Sequence, residues 1–182
     1  MERLTVRDAH RRNDGHLLLG FRCWTGDDDE LWVRDVEEYV RMYALRTAYR
    51  VLLFCSAGGE LAGVTAFNKQ DISPSGTRRV PGWRLEVVAL TLRWQRQRVA
   101  SDIAGAASEM KASEYLMRAT YRRMLELDAR RVLVVARVHD GNVASMVAAA
   151  RVGLDRTERE DDEYWAMLGE VDPDAGPTGA AQ

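Results

Sequence analysis

The chain has 182 residues, of which 46% are hydrophobic, and this length and composition fit one domain with a buried core. It carries 26 Lys and Arg against 28 Asp and Glu, a net charge of -2, so there is no basic excess of the kind that binds nucleic acid across a whole surface. The first residues lack the apolar core of a secretory signal, and no apolar run approaches the roughly 18 to 20 residues that span a bilayer. We therefore expect a soluble, cytoplasmic protein with no membrane partner.

The first part of the chain combines short extended segments with one clear helix. Residues 4–7 predict a first strand, whereas the leucine-rich residues 16–21 are ambiguous between strand and loop. Acidic residues from position 27 suit a helix start, because negative charge is favourable at the positive end of the helix dipole. Apolar residues then recur at helical spacing, at Trp32, Val36, Tyr39, Val40 and Tyr43. This pattern predicts an amphipathic helix that runs to about residue 48.

The next part of the chain predicts antiparallel strands. Residues 49–56 and 61–68 are rich in β-formers and flank a turn at 57–60, which indicates a hairpin. Residues 71–82 contain Gly and Pro and predict a longer loop. A further strand follows over residues 83–92, with alternating side chains.

The second half returns to alternating helices and strands. Spacing between Ile103 and Leu127 predicts either one long helix or two short ones, and the apolar residues 131–138 predict a strand buried on both faces. Asn142 precedes a short helix that Gly153 should terminate at its C′ position.

The end of the chain predicts a hairpin over residues 154–159 and 163–168, followed by a tail of Pro, Gly and Ala over 169–182 that we expect to be disordered. The expectation is one domain over residues 1–168. The fold class is α/β (α+β), with a mixed, mostly antiparallel central sheet flanked by helices.

Three segments resemble the GNAT (Gcn5-related N-acetyltransferase) superfamily. The hairpin and the strand over 83–92 are similar to its second to fourth strands, and residues 95–100 lie where it has the loop Q/R-x-x-G-x-G/A. The third segment, residues 138–154, is similar to its V-x-x-x-N-x-x-A motif with a later Gly. The resemblance covers about two thirds of the chain and implies the GNAT fold, acetyl-CoA as cosubstrate and no metal.

The resemblance also implies where coenzyme A (CoA) binds. In the family, the fourth strand splays from the fifth, unpaired backbone groups of this strand bind the pantetheine arm, and successive backbone N–H groups at a helix start cradle the pyrophosphate. Carried over to this sequence, the residues that bind the cofactor are Leu90, Leu92, Gln95, Arg96, Gln97, Arg98, Val99, Ala100 and Asn142. Asn142 could equally act as a helix cap.

The loop over residues 95–100 departs from the family pattern. Arg98 occupies the first Gly position, Ala100 is an allowed variant at the second, and the helix over 113–128 begins about a dozen residues late. One interpretation is that Arg96 and Arg98 supply guanidinium groups to the phosphates. The other is that the site is degraded and the fold serves another purpose.

Glu86 is the candidate catalytic base, on the strand face that it would share with Val88 and Leu90. A partly buried carboxylate there can deprotonate the substrate ammonium, whereas the alternative is an ordinary solvated strand residue. The Tyr that serves as general acid in the family is absent, because its position is Ala149. Cys23 and Cys55 have neither metal-type spacing nor a catalytic partner signature, and we assign them no role.

The function implied is transfer of an acetyl group from acetyl-CoA to an amine by direct attack on the thioester. The amine belongs to a small molecule, a peptide or an aminoacyl group. The alternative is a catalytically impaired GNAT-fold module that senses CoA or binds a protein. Phe21-Arg22-Cys23 and the helix after it resemble the start of toxin-type GNAT proteins, which leaves charged tRNA open as a partner. A homodimer is also left open.

Overall fold

The computed structural model describes residues 2–26, 31–45, 48–73, 79–103, 108–128 and 132–171. Its helices are α1 (Arg11–Leu19), α2 (Leu31–Tyr43), α3 (Ala112–Asp128) and α4 (Val143–Arg151). Its strands are β1 (Thr5–Asp8), β2 (Arg50–Cys55), β3 (Leu61–Ile72), β4 (Val80–Leu90), β5 (Arg98–Ala100), β6 (Glu109–Lys111), β7 (Val132–His139), β8 (Asp155–Arg159) and β9 (Tyr164–Val171).

Seven strands form one mixed sheet in the order β1-β2-β3-β4-β7-β9-β8. Neighbours pair antiparallel except β4 and β7, which are parallel. The predicted mixed, mostly antiparallel sheet and its two hairpins, β2–β3 and β8–β9, are therefore confirmed. Strands β5 and β6 pair with each other in a separate two-stranded sheet, and Ala100 of β5 also forms an isolated parallel bridge with Arg3.

Helices cover both faces of the seven-stranded sheet, and each face has its own apolar cluster. On the α2 face, Leu18 of α1 and Val40 of α2 pack with Val64 and Val87. On the α3 face the cluster includes Leu116, Met124, Ala148, Phe54 and Val134. A hydrogen bond of 2.8 Å between the hydroxyl groups of Thr65 and Thr120 adds a polar link between β3 and α3. The strands in the middle of the sheet are thus enclosed on both sides.

Residues 16–21, for which the sequence offered a strand or a loop, instead belong mostly to α1. The helix is fixed by a non-local contact, since Asp14 accepts two hydrogen bonds from Arg7 of β1, at 2.6 and 2.7 Å. Asp14 also accepts from the backbone N–H of His10 at 2.7 Å, which satisfies a donor at the helix start. The leucine run could not reveal an ion pair with an earlier strand.

Several predicted boundaries were wrong. Helix α2 ends at Tyr43 rather than near residue 48. Both ends of the proposed loop over 71–82 belong to strands, because β3 runs to Ile72 and β4 starts at Val80. Strand β9 continues through Val171, three residues into the proposed tail, because its pairing with β7 extends to Val132. Residues 172–182 lie outside the described residues, and the single domain over 1–168 stays a prediction.

The helix predicted from Ile103 onward was also wrong in its first part. Residues 109–111 are strand β6, which pairs with β5, and of the residues described in this span only Ala112–Asp128 are helical. Val99, Ile103 and Met110 are buried in the α3-face cluster. Their spacing reflects burial in a hairpin-like excursion of the chain rather than one side of a helix.

Candidate active site

Strands β4 and β7 separate in the middle of the sheet. Their parallel pairing begins at Gly82 and Leu133 and, among the residues that the structure describes, ends at Leu85 and Ala136. Both strands continue beyond this point, β4 to Leu90 and β7 to His139. A wedge-shaped opening therefore lies between them, bordered on one side by the backbone edge of residues 86–90.

A β-bulge lies where the opening starts. Ala66 pairs with Val87 and Phe67 with Leu85, so Glu86 is the additional residue on β4. Phe67 and Leu85 belong to the α3-face cluster, whereas Ala66 and Val87 belong to the α2-face cluster. The bulge thus reverses the alternation of side chains along β4. It places Glu86 directly after Leu85, where the pairing of β4 with β7 ends.

The reversal corrects the expected surroundings of Glu86. Val88 and Leu90 pack against the α3-face cluster, whereas Glu86 Oε1 lies 3.2 Å from Nε of Arg84. Trp83 and Leu85 flank Arg84 and face α3, so Arg84 faces α2. Glu86 therefore does not share a face with Val88 and Leu90, because the alternation assumed from sequence ignored the bulge.

Glu86 is partly withdrawn from water, with 22% of its side chain exposed. Burial raises the pKa of its carboxyl group, and the positive charge of Arg84 opposes this effect in part. Glu160 also raises the pKa of Glu86, whereas Arg137 lowers it. A carboxylate with a raised pKa next to a strand opening has the properties of a general base for an ammonium group.

Arg137 and Tyr164 form the side of the opening that belongs to β7 and β9. The Arg137 guanidinium carbon lies 3.8 Å from the centroid of the Tyr164 ring, and its Nε lies 3.3 Å from a carboxylate oxygen of Glu160. Asp161 forms a second ion pair with the same guanidinium. Arg137 is therefore fixed in position by aromatic and ionic contacts.

His139 joins the end of β7 to α2. Its ring stacks on Trp32 with a centroid distance of 4.5 Å and an interplanar angle of 11°, and Tyr164 contacts it edge-on at 5.1 Å. Its Nδ1 accepts a hydrogen bond of 3.1 Å from the Gly141 N–H. A β-carbon at Gly141 would lie 3.2 Å from both His139 Nδ1 and Trp32, so glycine permits this close packing. From the sequence, Trp32 belonged to the helical spacing of α2, and nothing indicated its contact with His139.

The turn from β7 into α4 has the predicted geometry. Asn142 Oδ1 accepts a hydrogen bond of 3.0 Å from the Ser145 N–H, which caps the helix. Gly153 has a φ of +86°, and the N–H groups of Gly153 and Leu154 donate to Ala150 and Ala149. These two bonds are a Schellman motif, so the predicted termination at Gly153 is confirmed.

No tyrosine of α4 can serve as general acid at position 149, since Ala149 is there and only 1% exposed. Of two other tyrosines, Tyr115 is buried and its hydroxyl group lies 3.3 Å from both the Leu4 carbonyl and Asp102. Tyr164 lies beside the opening, and burial raises the pKa of its phenol. Burial also raises the pKa of Cys23 to about 12, which keeps this thiol protonated and unreactive.

The residues that follow β4 connect the sheet to the segment after α1. A 3-10 turn covers Leu92–Trp94, and the Leu92 N–H donates to the Arg22 carbonyl at 3.2 Å. The Gln95 side-chain amide donates to the Cys23 carbonyl at 2.8 Å. Arg96 is exposed and has a φ of +66°, in the left-handed region. These contacts place two of the expected cofactor residues, Leu92 and Gln95, against residues 22–23.

The remaining expected residues of this loop lie at the base of an excursion. The Ala112 N–H, at the start of α3, donates to the Gln97 carbonyl at 2.9 Å. The chain therefore comes back at Ala112 to the place that it left at Gln97. Arg98 pairs across this excursion with Glu109 at 3.1 Å, and Val99 is buried. The Ala100 N–H donates to the Glu2 carbonyl at 3.0 Å. Whether Arg98 also contacts a phosphate stays a prediction.

No protein-family model matches the sequence, and no curated protein is similar to it at a significant level. Solved structures are similar to it in fold. The PaiA N-acetyltransferase from Thermoplasma acidophilum, in complex with coenzyme A, has a TM-score of 0.61 at 13% identity over 92% of this chain and 99% of its own. A mutant of the toxin AtaT, bound to the C-terminus of the antitoxin AtaR and acetyl-CoA, has a TM-score of 0.57 at 13% identity over 90% and 91%. The KacTA–DNA complex has 0.55 at 15% identity over 90% and 92%.

The chain therefore has the fold of the GNAT acetyltransferases, as the sequence resemblance implied. At 13% to 15% identity to these structures, the similarity establishes the fold, and the activity has to be argued from the site. None of the helices in the described ranges is both long enough and apolar enough to cross a membrane.

Proposed function

We propose that this protein is an acetyl-CoA-dependent N-acetyltransferase that transfers an acetyl group to an amine by direct attack on the thioester. The observation that carries the proposal is the separation of β4 and β7 beyond Leu85 and Ala136, with a bulge at Glu86. A parallel strand pair that opens in this way offers backbone donors and acceptors to an extended ligand within an otherwise closed sheet. The same opening is what the GNAT resemblance implies.

The residues around the opening fit acetyl-CoA in part. The free backbone edge of residues 86–90 suits the amide groups of a pantetheine arm, in the manner of a strand added to a sheet edge. Asn142, at the start of α4, would contact the same arm while it caps its helix. Acetyl-CoA would supply the activated acyl group as a thioester.

Binding of the pyrophosphate is proposed for residues 95–100 and depends on side chains. Arg96 and Arg98 are exposed and carry the guanidinium groups that this region offers to phosphates. Arg98 would have to share its charge with Glu109, which lies 3.1 Å away. Phosphate binding by Arg98 therefore costs part of this ion pair, and Arg96 is the less constrained of the two.

Glu86 is proposed to accept the proton of the attacking ammonium group, directly or through a water molecule. Its raised pKa, caused by burial, brings its basicity closer to neutral pH. The leaving CoA thiolate needs no strong acid, since a thiol pKa near about 8.5 makes it a fair leaving group. Tyr164 is the hydroxyl group beside the opening that could protonate it. The proposal includes no metal.

The acceptor amine is proposed only by class, as that of a small molecule, a peptide or an aminoacyl group. An antitoxin and acetyl-CoA accompany the solved AtaT, and DNA is part of the KacTA complex, so protein or nucleic-acid partners are consistent with this fold. The net charge of -2 gives little electrostatic support for binding nucleic acid. We further propose a cytoplasmic location and leave a homodimer as a hypothesis.

The test is the release of free CoA thiol from acetyl-CoA in the presence of a panel of amines. The panel should contain polyamines, lysine peptides, amino-terminal peptides and aminoacyl esters. We expect release that depends on one class of amine and saturates with its concentration. Release that is independent of every amine would contradict the proposal.

A second candidate function is a CoA-sensing or protein-interaction module without catalysis. The observations that favour it are the pairing of Arg98 with Glu109 and the buried Ala149 at the general-acid position. Thermal melting separates the two functions, because a ligand at a hundred times its dissociation constant should add about 2.7 kcal/mol of stability. Stabilisation by acetyl-CoA without turnover on any amine would favour the module.

A further inference from the structure

Glu37 of α2 is a buried carboxylate that the proposed chemistry does not use. It is only 5% exposed, and its Oε2 accepts hydrogen bonds from the backbone N–H groups of Cys23 and Trp24, at 2.9 and 3.2 Å. Its Oε1 pairs with Arg41, one turn further along α2. Arg22 adds a weaker ionic contact at 3.9 Å. A buried charge with this many partners is fixed in one position.

The backbone that Glu37 holds is the backbone that contacts the end of β4. The Arg22 carbonyl accepts from the Leu92 N–H, and the Cys23 carbonyl accepts from the Gln95 side chain. In residues 22–24, which we name the clamp segment, the N–H groups of Cys23 and Trp24 therefore bind Glu37 of α2, and the carbonyl groups of Arg22 and Cys23 bind residues after β4. One carboxylate connects α2 to the exit of β4 through two successive hydrogen bonds.

Helix α2 contacts the other side of the opening as well. Trp32, five residues before Glu37, stacks on His139 at the end of β7. The clamp segment, α2 and the Trp32–His139 pair thus connect the end of β4 to the end of β7 on the α2 face. On the opposite face, α3 and α4 belong to the apolar cluster against which Val88 and Leu90 pack. An acceptor that approaches Glu86 from the α2 face must pass this connection.

We infer that Glu37 is a positioning residue, which fixes the clamp segment as the wall that orients the acceptor amine toward the thioester. This inference rests on the proposed acetyltransferase function and extends it. An apolar residue at position 37 would leave the Cys23 and Trp24 N–H groups without their partner, and the wall would shift. Displacements of about 1 Å in a positioning wall can reduce a rate a hundredfold.

The inference predicts a separation between the two substrates. The end of β4 keeps contacts of its own, since the Thr91 N–H donates to the Ala62 carbonyl at 2.9 Å. Loss of Glu37 should therefore affect the amine more than acetyl-CoA. A role in stability alone would lower the fraction of folded enzyme and leave both Michaelis constants unchanged.

The experiment compares Glu37→Ala and Glu37→Gln with the matched changes at Glu38, which is exposed on the same helix. For Glu37→Ala we expect kcat/KM for the amine, per folded enzyme, to fall about thirtyfold, with the dissociation constant of acetyl-CoA within twofold of wild type. Glu37→Gln keeps one oxygen acceptor for the clamp segment and should lose about fivefold. The Glu38 variants should match wild type.

Hydrogen exchange gives a readout that does not need turnover. The amides of Cys23 and Trp24 should exchange at least about tenfold faster in Glu37→Ala, with amides of β3 and β4 unchanged. If Glu37→Ala does not fold, Glu37→Gln carries the test on a smaller scale. A folded Glu37 variant with the amine kcat/KM of wild type, or with an equal loss in acetyl-CoA affinity, would overturn the inference.

The failure of this inference differs from the failure of the proposed function. If wild-type protein releases no thiol with any amine, the proposed function is wrong and the positioning role is wrong with it. If wild-type protein is active and the Glu37 and Glu38 variants behave alike, only the positioning role is wrong.

Discussion

The turn from β7 into α4 and the segment between β4 and α3 are the two regions expected to hold CoA, and they differ in how they are built. In the first, Asn142 caps α4 and the motif at Gly153 ends it, each through hydrogen bonds between residues at most five positions apart. In the second, residues 98–111 form an excursion whose strand β5 contacts Glu2 and Arg3 near the start of the chain. One region depends on local bonds and the other on distant partners.

This difference shows in which region the family pattern predicts the local structure correctly. A cap and a Schellman motif need particular residues at fixed spacings, so the sequence retains them when the fold is kept. A glycine-rich loop can be replaced by a longer segment if that segment buries its own apolar residues, as Val99 and Met110 do here. The local turn therefore follows the pattern that the GNAT resemblance implies, and the excursion departs from it.

The largest expected effect concerns Glu86, the additional residue of the bulge in β4. Glu86→Gln keeps the size of the side chain and removes the proton acceptor, so turnover should fall about a hundredfold, close to 2.7 kcal/mol, with acetyl-CoA affinity nearly intact. The measurement is kcat for the best amine across pH. In wild type the rate should rise with pH as the carboxyl, whose pKa burial raises, loses its proton. Wild-type turnover and pH dependence in the variant would remove Glu86 from the mechanism.

The next effect tests the segment between β4 and α3. Arg98→Glu places negative charge where the proposal puts a phosphate, and CoA affinity should fall at least about tenfold, or 1.4 kcal/mol. The matched control is the exchange Arg98→Glu with Glu109→Arg, which restores the ion pair seen at 3.1 Å with reversed charges. If the exchange restores affinity in calorimetric titrations, the pair is structural and Arg98 does not contact the phosphates.

A smaller effect tests the end of α4, at Gly153. Gly153→Ala should cost about 1 kcal/mol of unfolding free energy, because a φ of +86° strains any residue with a β-carbon. No atom lies within 4 Å of a β-carbon at this position, so the cost comes from the backbone alone. Gly15→Ala is the control, since Gly15 is inside α1 with open space around it, and there alanine should stabilise. Denaturant titrations that give both changes the same sign would contradict the assigned Gly153 geometry.

The smallest effect concerns stability and pH at Glu86. Its pKa is raised in the folded state, so the folded protein binds the proton more tightly than the unfolded chain does. This contribution is present below the ordinary glutamate pKa, near about 4.5, and is lost as pH rises through the raised value. Glu86→Gln does not titrate, so its melting temperature relative to wild type should increase from pH 4 to pH 7. A constant difference between the two proteins would mean that burial does not perturb this carboxyl.

Much of the fold could be predicted from the sequence because its signals are local. Periodicity located α2 and α3, a segment rich in β-formers located β2, an apolar run located β7, and turn residues located the hairpins. The failures have non-local causes. Helix α1 depends on the Arg7–Asp14 ion pair, and β5 and β6 depend on burial against α3 and on Glu2.

The candidate site follows the same rule. Glu86 and Asn142 could be chosen from their places in the family pattern. The sheet face toward which Glu86 points could not be predicted, because a bulge is defined by the register of β3 against β4 rather than by residue type. Arg84, Arg137 and Glu37 gave no motif signal at all. Their significance comes from partners that are distant in the sequence or on another strand.

The central claim is that CoA binds in the opening between β4 and β7, and backbone amide NMR of the protein titrated with CoA tests it most directly. We expect the largest chemical-shift changes at the amides of residues 86–90 and at the start of α4, with smaller changes at residues 95–100. Changes confined to other surfaces, or no saturable change at millimolar CoA, would contradict it.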